Sequence, residues 1–298
     1  MNIVPLGDRA LILQAPRRQD ALLMVIGWQW QLEAAALPGI TEMLPCYCSL
    51  TLFYCPSTWD YASLAARISQ IVDPALPSPS LEDLPCHVLP VCYDAEYAPD
   101  LETLCQARGL TPTKLVEHHT SPTYLVAGLG FSPGFGFLQG LPPALHHPRL
   151  ATPRTRVPAG AVGIAHDQTG IYPSASAGGW NLIGRCPHPL TDLTASLPSL
   201  LQVGHRVQFR PISSTEFTDL QTHIRPHAPP TPDSASAGSA RALRVGGLTT
   251  IQDLGRRQYR SQGFPHGGAM DAPAVKRINT FLGNHPAAPV LELSLIHI

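Results

Sequence analysis

Lysine is nearly missing from this chain, with Lys114 and Lys276 the only two in 298 residues. No Gly-x-x-x-x-Gly-Lys phosphate loop can therefore be written, and any nucleotide must be held by arginines, backbone amides or a partner chain. Excess charge is missing as well. With 20 basic against 21 acidic residues, the sequence lacks the electrostatic footprint of a nucleic-acid or anionic-membrane binder. No run approaches the roughly 18 apolar residues of a membrane span, and the opening MNIVPLGDRA has neither the basic nor the apolar region of a secretory signal. The expectation is a cytoplasmic protein with no membrane and no nucleic-acid partner. The seven cysteines, at 46, 48, 55, 86, 92, 105 and 186, are odd in number and form no Cys-x-x-Cys. That argues against a zinc cage or a disulfide framework and for small buried hydrophobes.

A hydrophobic content of 44% and this length suffice for about two ordinary domains. An apolar stretch over residues 2–14 surrounds Gly7-Asp8, and Arg17 to Leu37 has Leu22, Leu23, Ile26 and Trp30 at roughly helical spacing. Leu44 to Tyr54 (LPCYCSLTLFY) reads as a strand, and Thr58 to Val72 as an amphipathic helix that Thr58 or Ser57 can cap. This alternation gives a small α+β domain over residues 1–85, with Asp73 to Asp83 as its exit linker. A strand over Cys86 to Tyr93 is followed by a helix over Asp100 to Arg108, capped by Asp100 and stopped at Gly109. A second helix opens at Thr111-Pro112 and ends at His118 and His119. Short strands over Thr123 to Leu129, Ala161 to Ala165 and Arg206 to Ile212 make residues 86–213 a barrel or sandwich. Residues 214–241 read as a linker, and 242–298 as the start of a further domain.

Gly128 to Gly184 is the unusual part. Glycine and proline recur every few residues, interleaved with Phe131, Phe135, Phe137, Tyr172 and Trp180 and with Arg149, Arg154 and Arg156. Irregular backbone leaves N–H groups to offer a ligand, and arginines add planar anion clamps. Turns of a Gly- and Pro-rich barrel are the equally weighted alternative. Gly130-Phe131-Ser132-Pro133-Gly134 matches the Gly-x-Ser-x-Gly elbow, yet Pro133 has no N–H for the oxyanion hole, so a catalytic Ser132 is rejected. The glycines at 128, 130, 134 and 136 also miss the dinucleotide fingerprint. The pairs His118-His119 and His146-His147 lack a third ligand at useful spacing, so no metal is expected. His118 stands as a polar site candidate against a surface helix-end histidine, and the three arginines stand against solvated loop charges. Near the C-terminal end, Asp253, Arg256, Asp271 and Asn279 are interleaved with glycines; turn formation by Asp253 and helix capping by Asp271 are the structural alternatives.

The run His118 to Tyr124, Gly130-Phe131-x-Pro133-Gly134-Phe135-x-Phe137-Leu138, Pro148-Arg149, Pro153-Arg154-x-Arg156-Val157-Pro158-Ala159-Gly160, Gln168-Thr169-Gly170-Ile171-Tyr172-Pro173 and Gly178-Gly179-Trp180-x-Leu182-Ile183-Gly184-Arg185 closely resembles the allophanate hydrolase subunit 1 family. That family includes the B subunit of bacterial ATP-dependent 5-oxoprolinase and the kinase inhibitor KipI. Gln252-Asp253-x-Gly255-Arg256, Gly267-Gly268-Ala269-Met270-Asp271, Asn279 and Gly283-Asn284 resemble the start of the subunit 2 family, which includes the C subunit of the same enzyme. The resemblance implies a B–C fusion that stops within its C part. The implied fold is an α+β domain, then a mainly β cyclophilin-like barrel, then the start of a second, incomplete cyclophilin-like β domain.

The implied reaction is ATP-dependent opening of the 5-oxoproline lactam to glutamate. ATP, with Mg as counter-ion, is the implied cofactor. The implied partners are the A subunit of 5-oxoprolinase, plus the remainder of its C subunit. On this resemblance His118, Asp253 and Asp271 are candidate catalytic residues; Arg149, Arg154, Arg156, Tyr172, Gly134, Phe135, Gly179, Trp180, Arg256 and Asn279 are candidate substrate or ATP contacts. Phe137 stands where the family usually has tyrosine, Ala177 where proline is common and His205 where aspartate is usual. Alternatives within the family are a urea or allophanate amide hydrolase, a carboxyltransferase-type component, and a KipI-like inhibitor of a sensor histidine kinase.

Overall fold

A hairpin opens the chain. Strands β1 (Asn2–Leu6) and β2 (Ala10–Gln14) pair antiparallel across Gly7, whose φ of 65° suits glycine. Helix α1 (Ala21–Ala35), strands β3 (Ile40–Cys46) and β4 (Ser49–Tyr54) and helix α2 (Tyr61–Ile71) complete an α+β layer with sheet order β1-β2-β4-β3. This is a computed structural model that describes residues 1–73, 76, 78–223 and 249–293. The period-2 pattern of β4 turns Leu50, Leu52 and Tyr54 inward, against Leu11 and Leu13, the Val25, Trp28 and Leu32 stripe of α1, and Leu64 and Ile68 of α2. Trp28 is thus the buried tryptophan of α1, and Trp30, placed on the apolar face by the sequence, is exposed. The cap of α2 also differs from expectation: Asp60, not Thr58 or Ser57, accepts the Ser63 amide at 2.8 Å.

The second layer is a barrel. In chain order it contains β5 (Cys86–Cys92), α3 (Leu101–Arg108), α4 (Pro112–Thr120), β6 (Tyr124–Leu129), β7 (Gly136–Gln139), β8 (Arg154–Val157), β9 (Ala161–Ala165), β10 (Gln168–Ile171), β11 (Ser176–Gly178), β12 (Asn181–Arg185) and β13 (Arg206–Ile212). Seven strands close in the order β10-β7-β6-β13-β5-β12-β9, while β8 and β11 form a separate ribbon. Neighbours run antiparallel except β5 and β13, which are parallel. Leu89, Val91, Val126, Leu138, Val162, Ile164, Ile183 and Val207 fill the interior.

One histidine organises that interior. His119, at the end of α4, is fully buried and stacks on Phe209 with ring centroids 4.6 Å apart. Thr169 donates its hydroxyl hydrogen to the Gly163 carbonyl, so His119 Nε2–H donates to Thr169 Oγ1 at 2.9 Å and Nδ1 accepts from the Tyr93 hydroxyl at 2.7 Å. Tyr124 donates to the His119 carbonyl. Every polar atom of the imidazole is satisfied, and burial pushes its pKa down to about 3.

The two layers share α1. Its Leu22 and Ile26 face away from the first core and pack with Leu84, Leu125 and Ala127. A second join replaces the single strand expected over Leu44 to Tyr54. The chain turns at Tyr47, φ 48°, so β3 and β4 form a hairpin whose tip meets the barrel. The Tyr47 N–H donates to the Ala127 carbonyl at 2.7 Å, and its phenol accepts from the Gln168 amide. Ala127 is available because β6–β7 pairing slips between Val126 and Gly128, and a Cβ on Gly128 would stand 3.0 Å from Cys46 Sγ.

Two linker expectations change. Asp73 to Asp83 includes a short helical turn, Leu81–Asp83, tied by Asp83 accepting from the Ser80 amide and hydroxyl. Residues 214–223 are helix α5 (Ser214–His223), not linker: Ser213 Oγ accepts from the Glu216 amide, and Phe217 packs on Cys92 and Ile212. Residues 224–248, which hold the rest of the expected linker, and 294–298 lie outside the described residues. A first compact unit spans Met1–Arg225 with Arg260–Phe264; the second comprises Pro226–Tyr259 and Pro265–Ile298. In the second, β14 (Thr249–Gln252) pairs antiparallel with β15 (Val290–Leu293), and α6 (Ala272–Phe281) lies between them in sequence.

His119 binds a proton in the unfolded chain near pH 6.5 and in the folded one only near pH 3. The unfolded state therefore holds more protons between those values, and stability present above pH 6.5 is lost as pH falls, by up to about 1.4 kcal/mol per pH unit. Urea midpoints measured across this window should fall more steeply for the unaltered chain than for His119→Gln, which cannot titrate.

Candidate functional site

The residues after β6 form the mouth of the barrel. Gly130 donates to the Phe135 carbonyl and Phe135 to the Ser132 carbonyl, a tight loop in which Gly134 has φ 80°. A Cβ there would lie 2.3 Å from Thr191 Cγ2, so the position requires glycine on two grounds. Phe131 holds φ 67°, unusual for an aromatic, and is 64% exposed. Its ring makes edge contacts with Phe135 at 5.4 Å and Tyr172 at 6.1 Å, and Phe135 in turn meets Phe137, Tyr172 and Trp180. The candidates Gly134, Phe135, Tyr172 and Trp180 are thus brought together around one ring.

Tyr172 lies beneath the β8–β11 ribbon, where a Cβ on Gly178 would stand 2.4 Å from its hydroxyl oxygen. Burial raises its pKa, opposed by the Trp180 amide and by the Arg149 and Arg154 guanidiniums. Arg154 donates to Asp100 Oδ1 at 2.5 Å, and the Leu182 amide donates to Asp100 Oδ2 at 2.6 Å. The Asp100 side chain, expected to cap α3, instead pins the ribbon's arginine to β12. Arg149 and Arg156 are exposed, and Gly179 accepts from the Leu150 amide beside Pro153.

His118 is half-buried on α4, and the barrel interior receives its neighbour His119. Helical spacing was the available signal, since His119 follows buried Leu115 by four residues. Asp100 and Phe131 are also outside the sequence-based site candidates: Phe131 stood out only as one of the aromatics between the glycines and prolines, and Asp100 carried no signal beyond that of a helix cap. Among the described residues no group of three or more His, Cys, Asp or Glu could hold a metal ion. The buried hydroxyl of Ser132 has no hydrogen-bond partner.

Two clefts of the first unit lie elsewhere. One of about 840 Å³ is lined by Arg18, Asp20, Thr123, Gln139 and Arg206, and one of about 740 Å³ by Arg17, Cys46, Tyr47, Gln139 and Asp167. None of the sequence-derived candidates lines either. Arg18 is engaged by Asp20, and Arg206 donates to the Leu84 and Glu82 carbonyls.

In the second unit the polar candidates do structural work. Asp253 accepts from the Gly255 amide, Asp271 caps α6 by accepting from the Ala274 amide, and buried Asn279 donates to the Pro286 and Ala288 carbonyls. The Arg256 amide donates to the His266 carbonyl. Asp271 and Asn279 also line one apolar pocket of about 570 Å³ with Met270, Val275 and Leu282; Asp253 and Arg256 do not.

Residues 1–201 match the family model described as carboxyltransferase domain, subdomain C and D. The first unit is therefore a carboxyltransferase-type barrel protein. The B subunit of 5-oxoprolinase from Bacillus subtilis is 34% identical over 232 residues, 72% of this chain and 95% of its own length. The C subunit of 5-oxoprolinase from Escherichia coli K12 is 45% identical over 53 residues, 18% of this chain and 17% of its own length. The crystal structure of TTHA0988 is 31% identical with a TM-score of 0.72; the match covers 95% of this chain and 55% of that one. The chain belongs to the family of 5-oxoprolinase B subunits and carries a partial C-subunit-like region. Among the described residues no helix is long and apolar enough to cross a membrane.

Replacing Asp100 by Asn should keep an acceptor for the Leu182 amide and lose the ion pair, lowering stability by about 1–3 kcal/mol in urea unfolding. Gly134→Ala should cost a similar roughly 1–3 kcal/mol through strain and overpacking, and Thr191→Ser in the same chain should recover part of it.

Proposed function

We propose that this chain is the B side, with part of the C side, of a cytoplasmic ATP-dependent 5-oxoprolinase that hydrolyses the lactam amide of 5-oxo-L-proline to L-glutamate together with a separate A subunit. The observation that carries the reading is the match to nearly the whole length of a B subunit, joined in one chain to a C-subunit-like segment. The site supports it chemically. Exposed Phe131, standing on a base of buried Phe135, Tyr172 and Trp180, offers an aromatic edge to a small ring, and exposed Arg149 and Arg156 suit its carboxylate or a phosphate. Arg154, committed to Asp100, acts as a positioning residue. The barrel is the cyclophilin-like one that the family resemblance implies.

Lactams resist water because amide resonance lowers carbonyl reactivity, and ATP, with Mg as its counter-ion, supplies the activation. At the mouth, exposed Arg149, whose charge acts on the Tyr172 phenol, would hold the anion, with exposed Arg156 of β8 a further candidate. Among the catalytic candidates, His118 remains on the B side; Asp253 and Asp271 are assigned to turn and cap.

The test is 5-oxoproline-dependent ATP hydrolysis and glutamate release by this chain, extended to a full C subunit, with its A subunit supplied. Arg149→Ala should raise KM about 10- to 100-fold, the worth of a lost charge-assisted hydrogen bond, with unfolding unchanged. Turnover of urea or allophanate instead, or inhibition of a histidine kinase with no amide turnover, would sink the assignment.

A further inference from the structure

Five residues, Arg260–Phe264, pack with the first unit although the chain on either side of them belongs to the second. Their partners lie far away in sequence. Glu42, on β3, has a side chain only 5% exposed. Its Oε1 accepts the Arg260 amide at 2.6 Å and the Ser261 amide at 3.3 Å, and its Oε2 accepts Arg260 Nη1 at 2.9 Å. The same guanidinium lies over the Phe53 ring, 4.5 Å from the centroid. Gln262 is buried: its side-chain amide exchanges two hydrogen bonds with that of Gln202, and its carbonyl accepts from Ser199 Oγ at 2.5 Å. Gly263, φ 77°, comes so close to Leu129 that a Cβ would stand 3.2 Å from the leucine Cβ, and Phe264 is buried.

The groove is made by β3, β4 and the loops after β6 and before β13, so both layers of the first unit contribute. Its chemistry is selective. A carboxylate this buried is costly unless a cation and N–H donors face it, and only arginine supplies a charge that also stacks on Phe53. The glutamine pair and the close approach at Gly263 then demand an amide and a residue without a side chain at defined spacing.

We infer that Arg260–Phe264 is a peptide plug, and that Glu42, Phe53, Leu129, Ser199 and Gln202 form a recognition socket for an arginine-led Arg-Ser-Gln-Gly-Phe segment. It is the contact through which a C-subunit-like polypeptide joins a B-subunit-like one, in cis here and in trans where the two are separate chains. This rests on the family match and not on the amide substrate, so failure of the oxoprolinase assay leaves it standing.

The test uses the full chain and a fluorescent synthetic peptide spanning residues 258–267. Fluorescence anisotropy should show binding to an Arg260→Ala, Phe264→Ala double variant, whose own plug is disabled. Binding to the unaltered chain, whose socket is filled, should be at least about tenfold weaker, as should binding to the double variant carrying Glu42→Gln, the change that removing one charge-assisted contact produces. Equal binding to all three, or none to a double variant that still unfolds cooperatively, overturns the proposal. A second measurement covers a double variant that does not fold: in the unaltered chain, hydrogen exchange at the Arg260 and Ser261 amides should be slowed relative to Arg257, and Glu42→Gln should accelerate it about tenfold. Unprotected amides at both positions would overturn the plug.

Discussion

A barrel of seven strands leaves an interior that side chains must fill without stranding a polar atom, and here the fill is centred on one neutral imidazole. His119 links the residue after β5 through Tyr93, β10 through Thr169 and, by way of that hydroxyl, the β9 carbonyl of Gly163. Tyr124 at the start of β6 closes the set on the His119 carbonyl. A single residue, through its side chain and its carbonyl, thus ties α4 to residues in or adjoining four barrel strands. Because the network is complete it specifies one arrangement, and a half-satisfied version would be worse than an apolar core.

The position of the mouth follows from that register. β10 carries Thr169 inside and delivers Tyr172 at its end, and β6 carries Tyr124 inside and delivers the loop of Phe131 and Phe135. The ribbon above Tyr172 is fixed from outside by Asp100, which holds Arg154 and the Leu182 amide at once. On the opposite flank the hairpin tip at Tyr47 uses a slipped pairing in β6 as an acceptor, so an irregularity in the barrel becomes the seat of the neighbouring layer. Rigid elements therefore hold an irregular loop, the usual division of labour between scaffold and site.

Much of this was legible in the sequence, and the exceptions have physical causes. The α+β layer, the barrel strands at 86–92, 124–129, 161–165 and 206–212, and the Gly109 stop of α3 follow from periodicity and turn chemistry. The aromatic mouth followed from the glycine, proline and aromatic pattern. The hairpin at Tyr47 did not, because its turn uses no glycine or asparagine and is stabilised by a contact 80 residues along the chain. Trp30 was favoured over Trp28 because a wheel drawn for one apolar stripe fails on a helix that buries two. Asp100 read as a cap because capping is local, whereas Arg154 and Leu182 are distant in sequence. The acidic candidates of the second unit show the reverse: their local readings, turn and cap, describe their hydrogen bonds.

The parallel pairing of β5 with β13 carries a consequence for how the molecule comes into being. These strands, in register from Cys86 with Arg206 to Cys92 with Ile212, bracket nearly the whole barrel sequence. Closing that seam means bringing together segments separated by about 120 residues of chain, an entropic cost that must be met before any seam contact forms. The α+β layer, built from hairpins and adjacent helices, has no such wait. During synthesis it can assemble while the barrel strands are still emerging, and α1 would then offer the finished Leu22 and Ile26 face as a surface on which β6 condenses. The barrel closes last, at the moment β13 arrives.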